Sequence, residues 1–133
     1  MLKATMFIRF VISHIDSDSG RRQGLFQAGD DLLGDGCMAE GDAEELRATY
    51  GWFKANLAVP TRFSLSARPH AKAQAISWFR DTAAEHVRRM QSYQRLLQAY
   101  GLSVIMLRTA RPGYIVYEDD VQVVAYPFAD TPC

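Results

Sequence analysis

Cysteine is scarce in this chain, which has two among its 133 residues, Cys37 and Cys133. They lie far apart and form no C-x-x-C pair, so we expect free thiols and neither a disulfide framework nor a cysteine zinc site. Long apolar runs are also missing, since no stretch approaches the ~18 residues that a membrane-spanning helix needs. The apolar N-terminal segment is interrupted by Arg9 and has no small-residue cleavage site. It is therefore not a signal peptide, and we expect a cytoplasmic protein without membrane contact.

Net charge is absent as well, because 15 Lys and Arg balance 15 Asp and Glu. No global field therefore draws the protein to nucleic acid or to a membrane. The charge is nevertheless uneven along the chain. Residues 30–45 hold seven acidic residues and no basic one, whereas residues 60–112 hold nine basic residues and two acidic ones. This asymmetry can steer a partner or a second copy of the chain, unless the two segments face each other or are each solvated.

Recognised catalytic motifs are missing: there is no phosphate-binding loop, no G-x-G-x-x-G and no G-x-S-x-G. The stretch "DSDSG" at residues 16–20 begins like a calcium loop. Arg21 then stands where that loop needs glycine, and Gln27 stands where it needs a bidentate glutamate. We therefore expect no metal and no cofactor, and the sequence leans against an enzyme without excluding one.

The pattern of apolar residues predicts an α+β fold. Residues 5–15 read as a strand, 22–36 and 41–57 as helices, 73–79 as a strand and 82–100 as a long helix. A strand over 102–109 and a hairpin joined at "DD" follow. The predicted order is β-α-α-β-α-β-β-β, with about five strands in an antiparallel or mixed sheet, the last three as a meander, and the helices on one face. We expect one domain over residues 1–128, a short tail over 129–133 and a mobile crossing loop over 61–72.

Helix starts and buried faces are also predicted. Asp42 is the expected N-cap of the helix over 41–57, and Thr82 and Glu85 have the spacing of a capping box before the long helix. Gly101 suits the left-handed position just past the end of that helix. The stripe expected to be buried in the first of these helices is Leu46, Tyr50, Phe53 and Leu57.

His86 is the most ambiguous candidate site residue. It shares one face of the long helix with a stripe that we expect to pack on the sheet, formed by Met90, Tyr93, Leu97 and Tyr100. A histidine there is either a core residue with a hydrogen-bond partner or a pocket histidine that titrates near neutral pH. Glu85 lies about 100° around the helix from His86, so this run does not aim its polar side chains at one metal.

Arg9, His14 and Trp78 complete the candidate ligand-binding set. Arg9 lies in an otherwise apolar strand, where an unpaired charge is costly. It therefore reaches an edge, pairs with an acid such as Glu85 or Glu118, or reads an anionic ligand. His14 is either a surface residue or a second pocket histidine, and Trp78 would form a pocket wall. Catalytic candidates, if there are any, are His86, His14 and Arg9.

Two charged clusters have plainer interpretations. The consecutive acids at residues 118–120 are typical of a hairpin turn. The arginines of residues 80–95 suggest a nucleic-acid face, but no recognised nucleic-acid motif accompanies them. They are more typical of a solvated helix face.

The run "WFRDTAAEH" at residues 78–86, together with the end "GYIVYED" at residues 113–119, resembles a group of small bacterial proteins. The shared features are a W-F-[KR]-x-x-A-x-E-H run and a Y-E-D hairpin. The resemblance implies a bacterial source and a single domain. The group has no established activity, so the resemblance transfers no function.

The sequence is therefore compatible with three functions. The first is a binding domain that self-associates as a homodimer or binds a protein partner, favoured by the uneven charge and by an expected edge strand. The alternative is a small-molecule-binding domain or enzyme with a pocket around Arg9, His14 and His86, suited to an anionic ligand. Weak nucleic-acid binding through the arginines of residues 80–95 comes third.

Overall fold

The computed structural model describes residues 5–15, 22–59 and 75–132. Its elements, in chain order, are β1 (Phe7–Ile15), β2 (Arg22–Gly24), α1 (Leu25–Asp35), α2 (Glu40–Asn56), β3 (Ile76–Arg80), α3 (Ala84–Ala99), β4 (Val104–Thr109), β5 (Tyr114–Glu118) and β6 (Gln122–Tyr126). The predicted α+β class is confirmed. The loop predicted over 61–72 and the "DSDSG" turn lie outside the described residues.

The strands form an antiparallel sheet of six, ordered β2-β1-β3-β6-β5, with β4 also pairing with β1. β1 is rich in β-branched and aromatic residues, which suit a pleated surface. Its first residues pair with β3, Phe7 opposite Arg80 and Ile8 opposite Phe79. Its later residues pair with β2, beginning with Val11 opposite Gly24.

Two features of the sheet differ from the prediction. Residues 22–24, expected to open a helix, form β2, so the sheet has six strands instead of about five. The meander expected at the end of the chain is wrong, because β4 pairs with β1 while β6 lies between β5 and β3. The hairpin of β5 and β6 joined at "DD" is confirmed.

The helices lie close to their predicted positions, but their N-terminal caps do not. α2 begins at Glu40 with Ala39 at the N-cap, so Asp42 lies within the first turn instead of capping it. α3 begins at Ala84, one residue later than a capping box on Thr82 requires. Gly101 has the predicted left-handed backbone, with φ of 86°.

The predicted buried faces are largely correct. On α3, His86, Met90, Tyr93 and Leu97 are all at most 9% exposed, so burial of the expected stripe is confirmed along most of the helix, although Tyr93 packs against α1 and not on the sheet. On α2, Leu46 and Phe53 are buried, whereas Tyr50 is 44% exposed. Tyr50 is exposed because its ring borders a cleft of unit 2.

The chain divides into two compact units. The first, unit 1, consists of Met1–Arg9, Val59–Val87 and Leu107–Cys133, and the second, unit 2, consists of Phe10–Ala58 and Arg88–Met106. Unit 1 contains a core cluster of Phe7, Ile76, Trp78 and Val123, with Leu107 packed against it. Unit 2 contains α1, α2 and most of α3, and a cleft lies among these three helices.

Candidate functional site

A cleft of about 220 Å³ opens in unit 2 among residues of α1, α2 and α3. Its apolar lining comes from Phe26 and Leu33 of α1 and Leu46 of α2. Its remaining lining residues carry polar atoms: Gln27, Asp30, Arg47, Tyr50 and Tyr93. A concave, mostly apolar surface with a few polar groups is the usual character of a small-molecule site.

The floor of the cleft is an aromatic cluster centred on Phe26. Its ring makes edge-to-face contacts with Tyr50, Phe53 and Tyr93, with centroid distances of 5.4, 5.1 and 5.5 Å. Such pairs are each worth about 0.5–1.5 kcal/mol beyond the area that they bury. The cluster therefore joins all three helices and holds the cleft walls in place.

Gly29 makes room for one of these rings. A Cβ placed on Gly29 would overlap the Tyr93 hydroxyl and would lie 2.8 Å from the Tyr93 Cζ. α1 can therefore approach α3 this closely only because residue 29 has no side chain. The resulting contact buries Tyr93, which is 3% exposed.

The Tyr93 hydroxyl is held in its neutral form. Burial is the main cause, and electrostatic repulsion from Asp30 and Tyr50 adds to it; together they raise the Tyr93 pKa to about 12. The hydroxyl therefore remains a proton donor throughout the physiological range. It is available for hydrogen bonding and does not become a phenolate nucleophile.

Two opposite charges border the cleft. Asp30 and Arg47 are both exposed lining residues, one on α1 and the other on α2. Within the part of the chain that the structure describes, neither side chain makes a hydrogen bond or an ion pair. The cleft thus offers one carboxylate and one guanidinium that do not neutralise each other by direct contact.

The α2 wall is anchored at its start by Tyr100. The Tyr100 hydroxyl donates a hydrogen bond to Asp42 Oδ2 at 2.6 Å and accepts one from the Ala39 N–H at 2.9 Å. It thereby satisfies a backbone donor at a helix start that has no side-chain cap of its own. The hydrogen bond to Asp42 is the main cause of a raised Tyr100 pKa.

The residues that the sequence singled out lie elsewhere. Arg9, Trp78 and His86 belong to unit 1, and His14 belongs to unit 2, where it is exposed. None of the four lines the aromatic cleft. A second site formed by Arg9, His14, Trp78 and His86 stays a prediction.

Trp78 and His86 are both buried. Trp78 is 1% exposed and packs with Phe7, Ile76 and Val123, as a core residue does. Its indole Nε1–H has no hydrogen-bond partner among the described residues, and a buried donor left unsatisfied typically costs about 1–3 kcal/mol. His86 is 9% exposed, with its ring centroid 6.1 Å from that of Phe79.

Only part of the cleft can be recognised from the amino-acid sequence. Tyr50 and Tyr93 were placed in apolar stripes, and a tyrosine in such a stripe brings a hydroxyl that needs a polar setting. Phe26, Gly29, Asp30 and Arg47 carried no motif. Their significance comes from the approach of three helices, which periodicity along a single helix does not reveal.

The hairpin of β5 and β6 has a structural polar network. Asp119 Oδ1 accepts hydrogen bonds from the N–H groups of Val121 and Gln122, both at 2.9 Å. Arg80 donates to the Asp119 backbone oxygen at 2.8 Å and pairs with Glu118 at 3.1 Å. The expected turn role of this acidic run is confirmed, and Arg80 is engaged here instead of joining a free arginine face.

Two surfaces are relevant to the predicted binding of a protein partner or a second copy, namely the acidic segment of residues 30–45 and the edge strand β5. Among the described residues, none of the seven carboxylates of residues 30–45 makes an ion pair. β5 is hydrogen-bonded only to β6 among the described strands, and Tyr114 and Ile115 on it are 51% and 41% exposed.

In the described ranges, no helix has the length and apolar content to cross a membrane, and no group of three or more potential metal ligands occurs. No protein-family model, curated protein or solved structure matches the chain. The resemblance to a bacterial group therefore remains a prediction, and function must be argued from the geometry alone.

Proposed function

We propose that this protein is a small-molecule-binding domain whose site is the aromatic cleft of unit 2. The observation that carries the proposal is the convergence of Phe26, Tyr50 and Tyr93, from three helices, on one concave surface bordered by polar groups. The volume of about 220 Å³ lies below the roughly 300–1,000 Å³ of sites for drug-sized ligands. It favours a ligand about the size of a single metabolite.

Binding is favoured over catalysis for this cleft. A nucleophile or general base needs a pKa near its working pH, whereas burial and charge hold Tyr93 protonated far above it. Among the described residues that line the cleft there is no histidine, cysteine, serine or lysine. Recognition by shape, stacking and a few hydrogen bonds is what these residues can supply.

The test is a ligand-observed NMR screen of a fragment library of mixed charge, run on the wild type and on two tyrosine variants. Tyr50→Ala removes an exposed ring from the cleft wall. Tyr114→Ala removes an exposed ring of the same size from β5 of unit 1, at a residue that is not part of the cleft lining. We expect several fragments to bind the wild type and Tyr114→Ala but to lose binding in Tyr50→Ala. Equal binding to all three proteins, or no binding to any, would overturn the proposal.

We propose self-association as a second function, supported by the edge strand β5. Its outer edge carries the exposed pair Tyr114 and Ile115, and two copies related by a two-fold axis could pair there in antiparallel fashion. A β-bulge falls between Ile115 and Tyr117 and limits the regular pairing. A weak homodimer is the form that this edge supports. We further propose a cytoplasmic location for it.

Sedimentation velocity over a range of concentrations tests this second function. Ile115→Lys places a charge on the edge, and Val59→Lys places the same charge at a residue that is 83% exposed and outside the sheet. A wild-type dimer that Ile115→Lys disrupts and Val59→Lys preserves is the expected result. A monomer at every concentration would rule the dimer out.

A further inference from the structure

The two charges that border the aromatic cleft restrict the class of its ligand more than the volume of the cleft does. Asp30 and Arg47 line the same cleft from different helices, and each is exposed. Neither forms an ion pair within the described chain. Opposite charges that share a small cleft yet remain separate can each bind one end of a molecule that carries both charges.

We propose that the ligand is a small zwitterion of the free amino-acid type with one apolar arm, an inference that rests on the proposed function. The ligand ammonium would bind the Asp30 carboxylate, and the ligand carboxylate would bind the Arg47 guanidinium, which presents a planar fork suited to it. The apolar arm would lie on Phe26, Leu33 and Leu46.

Charge balance favours the zwitterion over a simple amine or a simple acid. An amine would make a charge-assisted contact with Asp30 alone, and an acid would make one with Arg47 alone. Each charge-assisted hydrogen bond is stronger than a neutral one, so a ligand that makes both contacts binds more tightly than one that makes a single contact. A zwitterion satisfies both groups and leaves the net charge of the cleft unchanged.

The floor of the cleft suits an apolar arm better than a polar one. The Phe26 ring and the two leucines offer no hydrogen-bonding atom, and the neutral hydroxyl of Tyr93 adds one donor and one acceptor. The volume of about 220 Å³ leaves room for one residue-sized molecule and not for a peptide chain. The ligand class is therefore a free amino acid with an aliphatic or aromatic side chain.

Three probes that differ only in charge test the proposal by NMR titration of the protein amides. L-Phenylalanine carries both charges, 2-phenylethylamine carries the ammonium alone and 3-phenylpropanoate carries the carboxylate alone. We expect L-phenylalanine to bind the wild type at least about tenfold more tightly than either analogue, because each analogue loses one charge-assisted contact.

Charge-removing variants identify the contacts. Asp30→Asn should weaken the binding of L-phenylalanine by about tenfold or more and leave the binding of 3-phenylpropanoate unchanged. Arg47→Gln should also weaken the binding of L-phenylalanine by about tenfold or more, but it should leave the binding of 2-phenylethylamine unchanged. Asp35→Asn and Arg95→Gln are the control variants, because they remove exposed charges of the same kinds from residues of α1 and α3 outside the cleft lining. They should leave the affinity for all three probes unchanged.

The outcomes separate this inference from the proposed function. If one analogue binds as tightly as L-phenylalanine, or if the fragments that bind in the cleft are all uncharged, the zwitterion is wrong while the binding cleft stands. If neither these probes nor any library fragment binds, the cleft itself is wrong. Binding of L-phenylalanine that is insensitive to both Asp30→Asn and Arg47→Gln would also overturn the inference.

Discussion

The Tyr93 hydroxyl occupies the space that a side chain at Gly29 would fill, with the Tyr93 Cζ 2.8 Å from the position of a Cβ there. The contact sets the separation of α1 and α3 and hence the shape of the cleft. Tyr93 also makes an edge-to-face contact with Phe26 of α1, so its ring is held by two residues of α1 that are three positions apart.

Gly29→Ala should destabilise the protein, whereas Gly34→Ala on the same helix should stabilise it. Replacing an exposed glycine within a helix by alanine gains up to about 0.5–1 kcal/mol, and at Gly34, in the last turn of α1, nothing lies within 4 Å of a Cβ. At Gly29 the new methyl group overpacks against Tyr93, which costs about 1–3 kcal/mol and outweighs that gain. Urea denaturation of the three proteins measures both effects, and equal shifts for the two variants would contradict the contact.

Alkaline pH should weaken the fold through Tyr93. Its pKa is about 12 in the folded protein, raised mainly by burial and further by Asp30 and Tyr50, against an ordinary value of 10.0. Between these two values the unfolded chain loses the proton first, so stability that is fully present below pH 10 declines as pH rises toward 12. We expect the free energy of unfolding to fall over this range.

Tyr93→Phe should flatten that decline without abolishing it, because the Tyr100 and Tyr117 pKa values are also raised, each chiefly by a hydrogen bond to an aspartate. The measurement is urea denaturation at several pH values from 8 to 11. Tyr114→Phe, at an exposed tyrosine, is the matched control. If both variants retain the wild-type pH dependence, the buried hydroxyl is not its source.

The sequence predicted the positions of the helices and strands better than it predicted which strands pair with each other. The stripe on α3 from His86 to Leu97 follows from a period of 3.6 residues, which is a local property of the chain. The pairing of β4 with β1 in place of β5 depends on contacts between distant residues, and no local pattern encodes it. The shift of the α2 cap from Asp42 to Ala39 has the same origin, since the hydroxyl that bonds Ala39 comes from Tyr100.

The candidate site was harder to predict than the fold. Arg9, His14 and His86 attracted notice because a charged or titratable residue in an apolar context is costly. The cleft instead uses Phe26, Tyr50 and Tyr93, which are ordinary in their own helices. What makes them a candidate site is the convergence of α1, α2 and α3, which sequence spacing does not contain.

Asp119→Asn should destabilise the β5–β6 hairpin by about 1 kcal/mol at neutral pH. Asp119 Oδ2 accepts hydrogen bonds from Tyr117 at 2.9 Å and from the Gln122 side chain at 3.2 Å, and an amide nitrogen there could accept neither. The loss is modest because the residue is partly exposed. Asp120→Asn changes an exposed neighbour and should be neutral. Chemical denaturation at pH 7 compares them.

The same carboxylate should contribute to acid sensitivity. Burial acts to raise the Asp119 pKa, but hydrogen bonds from Val121, Tyr117 and Gln122 outweigh it and lower the pKa below its ordinary value. The stabilisation is therefore present above the ordinary pKa and is lost as pH falls through the lower folded value. A wild-type protein and Asp119→Asn with parallel stability curves below pH 4 would show that this group is not involved.

Gly113→Ala should be the most damaging of the alanine substitutions considered for this chain. Gly113 has φ of 134°, a conformation closed to residues with a Cβ, and a Cβ there would lie 2.6 Å from the Tyr126 carbonyl carbon and 2.9 Å from Pro127 Cα. Backbone cannot yield as a flexible side chain does, so the turn into β5 must distort. We expect a loss of more than about 2 kcal/mol in the free energy of unfolding.

Gly101→Ala is the control, because its φ of 86° carries the left-handed penalty of about 1–2 kcal/mol but nothing lies within 4 Å of the new methyl group. Thermal and urea unfolding of both variants separate strain from collision: if Gly113→Ala costs no more than Gly101→Ala, the close approach of Tyr126 to Gly113 does not restrict this turn.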